Sequence, residues 1–244
     1  MAQFYENAPI VEAVIDLQVE NESFSEESFT KFSRSVSGRY DKKSPVNEAQ
    51  FQINVPNGDV KRDFKNIGYR FVSNEADRVI IVKGKGFTFS NLPKYKGWSK
   101  FSAEAKNHWA NFVKSLEPNK IRRIAVRYIN KINIPATSGV ELKDYFNIYP
   151  EISDDISPSI NGAYMQVKIP QPDLGKNFAS VINLATAEPD EPGFVTIILD
   201  IDVFALVEID PTDSNLWAML DQLREKKNKL FEASIKDSIR ELIK

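Results

Sequence analysis

The chain contains no cysteine, which excludes disulfides, thiolate nucleophiles, iron–sulfur clusters and cysteine-ligated zinc together. It contains one histidine, His108, so a Ser–His–Asp triad or an imidazole metal site would have to be built around a single ring. No motif surrounds that ring, and its place beside an apolar helical stripe reads as structural or surface. No window approaches the roughly eighteen uninterrupted apolar residues of a membrane-spanning helix. Residues Met1 to Asn7 carry no basic stretch, and Glu12 and Asp16 break the apolar run that follows, so no signal peptide is expected and the expected location is cytoplasmic. Charge of one sign is also missing. With 32 basic and 34 acidic residues the formal charge is −2, which argues against a general nucleic-acid binder that must neutralise many phosphates.

What is present is ordinary globular composition: 244 residues, 42% apolar and 27% charged. That is enough chain for one large domain or two small ones packed closely. In Val11 to Val19 every odd position is apolar, the period-2 signature of a half-buried strand. Ser25 before Glu26 and Glu27 reads as a helix start, and Phe29, Phe32, Val36 and Tyr40 follow at helical spacing. Alternation then predicts an antiparallel meander: Ala49–Val55, Ile67–Phe71, Arg78–Val82 and Phe87–Phe89, with turns at Pro56–Asp59, Ser73–Glu75 and Gly84–Gly86. Ser99 or Ser102 is expected to cap a second helix carrying Phe101, Ala105, Trp109, Phe112, Val113 and Leu116, which Pro118 ends.

The remainder follows a similar order. A long strand is predicted from Ile121 to Ile134, a short helix around Leu142–Phe146, and strands at Ala163–Val167, Phe178–Ala187 and Phe194–Glu208. The Pro-, Ser-, Asp- and Asn-rich stretch 150–176 reads as the long loop. Asp213 or Ser214 is expected to open one long final helix, Leu216 to Ile243. The chain therefore reads as strand–helix–strands–helix twice, as halves 1–119 and 120–244 packed as one unit. The match is one of element order and not of residues. That order occurs in saddle-shaped folds such as the TATA-binding protein. The expected class is α+β, with helices on one face of a curved antiparallel sheet. A helix-grip sheet or two unrelated lobes are the alternatives.

Candidate chemistry is sparse. Asp200 and Asp202 share one strand face and form the only acidic pair suited to Mg²⁺, though strand alternation produces the same pattern with both acids in water. Gly84-Lys85-Gly86 lacks the spacing of a phosphate loop and reads as a hairpin turn. Lys83, Lys85, Lys94, Lys96 and Trp98 mix cations and aromatics in turns, as single-stranded nucleic acid requires, and as edge-guarding lysines also do. Arg123 and Arg127 point to one side of their strand. They would receive a carboxylate or phosphate if that side is solvated, or pair with internal acids. The last helix offers Leu216, Leu223, Arg224, Lys227, Leu230 and Phe231, either clamped on the sheet or presented to a second chain.

The segments Ala8–Val14, Val126–Ile132 and Leu223–Phe231 with Ile235 and Asp237 resemble a sporadically distributed, uncharacterised prokaryotic protein family of similar length. The resemblance spans the start, middle and end of the chain, and it transfers no catalytic residue. It implies an accessory gene of mobile elements or defence islands, beside a toxin or effector gene. The leading functional reading is thus a non-enzymatic partner protein, such as an antitoxin-like inhibitor or defence-system subunit, requiring no cofactor and binding a protein or itself. A nucleic-acid or nucleotide binder comes second, and a metal-dependent phosphoryl enzyme third.

Overall fold

A computed structural model describes residues 5–21, 24–54, 59–93, 95–136, 139–153, 155–156 and 161–244, and within 50–63 the backbone alone. In chain order the elements are β1 (Ile10–Glu20), α1 (Glu26–Val36), β2 (Lys42–Asn54), β3 (Asp59–Val72), β4 (Arg78–Lys83), β5 (Gly86–Asn91) and α2 (Trp98–Leu116). They continue with β6 (Lys120–Pro135), a 3-10 turn at Leu142–Asp144, β7 (Tyr164–Pro170), β8 (Phe178–Ala187), β9 (Phe194–Ile209), α3 (Leu216–Ser234) and α4 (Asp237–Leu242). The class is α+β, as expected.

All nine strands join one antiparallel sheet, ordered β2-β3-β4-β5-β1-β6-β9-β8-β7. The centre is the β1–β6 pair, where Ile15 lies opposite Val126 and Leu17 opposite Ile124. Direct partners in an antiparallel ladder share a face. One face therefore carries Ile15, Phe89, Ile80, Val126 and Val203 in a single row. These side chains merge with Phe29 and Phe32 of α1, Phe101, Trp109 and Phe112 of α2, and Leu220 and Leu223 of α3 into one buried cluster. The helices thus cover this face. Phe89 stacks on Phe101 at 5.3 Å, and Trp109 stacks on Phe112 at 5.1 Å. Val14, Ala125 and Phe204 are buried but lie on the opposite side, outside that cluster.

Local signals explain most boundaries. Ser25 caps α1 by accepting the Ser28 amide. Gly97 occupies the cap of α2 with no side-chain bond, so neither Ser99 nor Ser102 caps it, and Glu117 ends it at φ 48° before Pro118. Asp213 accepts the Asn215 amide in a turn instead of capping α3. The single long final helix is corrected to two. Ile235 is extended (φ −106°, ψ 155°), bridges to Phe146, and separates α3 from α4. The tertiary bridge wins over helix propensity there. The predicted loop 150–176 is likewise interrupted by β7.

The meander strands β2 and β3 exceed expectation because they pair with each other well past β4. The β3–β4 ladder covers Gly68–Val72 alone, whereas β2–β3 pairing continues to Asn54 opposite Asp59. The ribbon departs at an irregularity between Val46 and Asn47, opposite Gly68. A Cβ on Gly68 would stand 2.0 Å from the Val82 carbonyl oxygen, so glycine alone lets β3 approach β4 this closely. The expected turn residues Pro56 to Gly58 lie outside the described residues.

Candidate functional site

Strand alternation places a second set of residues on the face that the helices leave free. Arg127 sits opposite Asp202, which sits opposite Val181, and Asp200 sits opposite Asn183, which sits opposite Gln166. Asp16 lies opposite Thr88 and Ala125. The result is a polar network running from β5 to β7. Thr88 donates to Asp16 at 2.8 Å, and Arg123 bridges Asp16 at 3.0 Å and Asp202 at 2.6 Å. Arg127 grips Asp200 with two bonds of 2.8 and 2.7 Å, and Asn183 donates to the same carboxylate at 2.9 Å. Gln166 and Tyr164 then converge on the Asn183 side-chain oxygen at 2.7 and 3.1 Å.

The electrostatics follow from this pairing. Asp200 is buried and bidentate, and its hydrogen bonds hold the Arg127 guanidinium above the usual arginine range. Burial pushes the Asp202 carboxyl up, against the pull of Arg123, and its Oδ1 accepts no bond among the described residues. The Arg123 guanidinium also stacks over Phe204 at 4.6 Å, with the Lys168 ammonium 5.6 Å from the same ring. The guanidiniums of Arg123 and Arg127 thus face away from the helices, yet both are neutralised by acids of their own face. Asp200 and Asp202, expected as the metal pair, are each engaged by an arginine. Among the described residues no cluster of three or more acidic or histidine side chains is placed to hold a metal ion.

The lysine and aromatic turns are not brought together. Lys83 and Lys85 lie at the start of β5, and Lys96 and Trp98 follow its end, so the six residues of β5 separate them by about 16–20 Å. Lys85 and Lys96 are exposed and Lys83 is half-buried. Trp98 is tied to α3 through its indole N–H on Asp221 at 2.5 Å. Lys94 lies outside the described residues.

On α3, Leu216, Leu223 and Phe231 are buried in the chain's own core, and Leu230 is partly buried against it. Lys227 is 7% exposed, with its ammonium 3.7 Å from the centre of the Tyr128 ring and, among the described residues, no carboxylate in ion-pair range. Burial, then the Arg224 charge, lower its pKa to about 7. The Tyr128 ring opposes them, favouring the cation by roughly 2 kcal/mol. Sequence spacing showed this lysine on a polar stretch. Only the tertiary position of Tyr128, whose hydroxyl meets Tyr95 at 2.6 Å, reveals the burial.

His108 is half-buried between Tyr40, at 3.2 Å, and the Phe89 ring, and desolvation lowers its pKa to about 4. Neighbouring Glu104 is held by Arg39 at 2.5 Å and Arg78 at 2.9 Å. This cluster ties the β3–β4 turn to α2. Sequence reasoning missed it, because Arg78 and Glu104 carry no local signal of pairing.

No helix among the described residues is long and apolar enough to cross a membrane. The sequence matches no family model, and it matches no curated protein.

Proposed function

We propose that this chain is a non-catalytic contact protein whose working surface is the helix-free face of its sheet, and whose partner is a protein. The observation that carries the reading is the mutual neutralisation of that face. Arg123 is matched by Asp16 and Asp202, and Arg127 by Asp200. Between them stand the apolar Val14, Ala125 and Phe204. Those three are closed over by the charged side chains, so the face presents alternating charge, which complements the charge pattern of another protein. Phosphates would demand the unpaired cations that this face spends on its own acids. Through the family resemblance, the setting is a prokaryotic defence or toxin–antitoxin locus, with the chain as subunit or inhibitor.

The strand order favours a duplicated saddle of the TATA-binding-protein kind. In each half the first strand is innermost, the last strand lies beside it, and the others follow outward in reverse: β1-β5-β4-β3-β2 and β6-β9-β8-β7. In each half the strands are followed by a 19-residue helix, α2 or α3, with the short α4 added after α3. The second half lacks one outer strand and has a 3-10 turn in place of α1. This architecture keeps the nucleic-acid reading as the second one.

Light scattering of the purified chain with the product of the adjacent gene tests the proposal. The expected result is a complex of defined stoichiometry that Arg127→Glu abolishes and Lys85→Glu leaves intact. Retention of RNA or DNA in a low-salt mobility shift, falling steeply with added salt, would replace this reading by the second. A complex insensitive to Arg127→Glu would remove the sheet face from it.

A further inference from the structure

The two edges of the sheet are built differently. β2 carries the devices that block edge pairing: exposed Lys42 and Lys43, Pro45, and the irregularity after Val46. β7, at the other edge, is a regular seven-residue strand in unbroken register with β8. Its outward groups can be assigned. The Ala163 carbonyl accepts from Thr186 and the Gln171 amide donates to Phe178, both toward β8. In an antiparallel ladder the N–H and C=O of one residue point the same way, and alternate residues point oppositely. Residues 165, 167 and 169 therefore bond β8, while Tyr164, Gln166 and Lys168 direct both backbone groups outward. Among the described residues no backbone hydrogen bond reaches those groups. The three side chains are exposed, Tyr164 to 67%.

We infer that β7 is a self-pairing edge, joining a second copy of this chain in antiparallel fashion about a two-fold axis at Gln166. The strand complements itself in that register. Gln166 meets its own counterpart, and Tyr164 lies opposite Lys168 of the other copy, so no like charges are opposed. On the helix side Met165 lies opposite Val167. Each outward N–H of Tyr164, Gln166 and Lys168 finds an outward carbonyl, and Pro170, which has no N–H, stays clear of the centre. A two-fold through Lys168 would instead oppose two like charges. Lys168 already lies back over Phe204, away from the edge. The pairing makes one continuous sheet with both helix-free faces on the same side. This pairing stands apart from the contact role proposed for that face. One strand pair buries less than a standard stable interface, so the dimer is weak, with a Kd on the order of 10–100 μM.

Sedimentation velocity over a range of concentrations tests this. The full chain is expected to pass reversibly from monomer to dimer. Gln166→Pro removes an outward N–H without touching the β8 ladder, so it lowers dimer affinity at least ~10-fold while the circular dichroism spectrum stays unchanged. Because the chain has no cysteine, Gln166→Cys supplies a second readout. Hydrogen-bonded partners stand about 5.5 Å apart at Cα, within disulfide reach. Mild oxidation is expected to cross-link Gln166→Cys at least ~10-fold faster than Lys85→Cys, a substitution in the exposed turn between the inner strands β4 and β5. Three results would overturn the inference: a monomer at every concentration to ~1 mM, a dimer unaffected by a folded Gln166→Pro variant, or equal cross-linking rates.

Discussion

The two faces of the sheet solve burial by opposite means. Under the helices, aromatic and branched side chains interlock; the polar groups among them include His108 and Lys227, whose charged forms lost hydration disfavours, and the Arg78–Glu104 ion pair. On the free face, burial is partial and charge is retained, because Arg123 and Arg127 each have an acid within reach. The first arrangement derives its stability from area and packing. The second gains less stability, since the lost hydration of partly buried ion pairs offsets much of their attraction, and keeps a patterned surface. Where a protein spends residues on weak pairing, function is the economical explanation.

Substitutions should separate the faces by size and sign. The largest effect belongs to Phe89→Ala, which removes a fully buried ring from between Phe101 and His108. It should lower stability by about 3–5 kcal/mol in urea titrations, and a loss under 1 kcal/mol would mean the helices do not rest on this face. Next is Lys227→Met. With its folded pKa depressed to about 7, Lys227 costs stability wherever the unfolded chain is protonated. Wild-type stability should therefore rise as pH climbs from about 7 towards 10.5, and stay level with respect to this group below 7. Lys227→Met should gain about 2–4 kcal/mol at pH 7 and flatten that rise. An unchanged slope would place the ammonium in water. The smallest is Arg123→Ala. It strands Asp16 and Asp202, which are partly hydrated, so the loss should be about 1–2 kcal/mol. The same variant should fail to hold the partner in light scattering, a split between folding and binding that no core residue would show.

How much of this could be read from the chain depended on range. Strand β1 was legible because its odd positions, Ala13, Ile15, Leu17 and Val19, are buried. The α2 stripe was legible for the same reason, since Phe101, Ala105, Trp109, Phe112 and Leu116 all face the core. The break in the last helix left no trace in the spacing, since Phe231, Ile235 and Ile239 keep four-residue steps; Ile235 leaves the helix through its bridge to Phe146. The site was less legible. Alternation put Arg123 with Arg127, and Asp200 with Asp202, on common faces. Their mutual pairing depends on β6 lying beside β9, a neighbour relation that no local pattern encodes. The burial of Lys227 is similarly a matter of which ring lies beneath it.

The placement of β1 has a consequence for synthesis. It leaves the ribosome ahead of the other eight strands, yet it belongs at the middle of the sheet, and Val19 must wait for Ile121, and Ile10 for Asn130. Until β6 emerges, the nascent first half can close β1 onto β5 but must carry a bare inner edge lined by Val14 and Asp16. At about 5–20 residues per second that exposure lasts seconds, long enough for a chaperone or a neighbouring nascent chain to find it. The central seam thus stays open until β6 has emerged, and the order of translation leaves it exposed longer than any ladder within the first five strands.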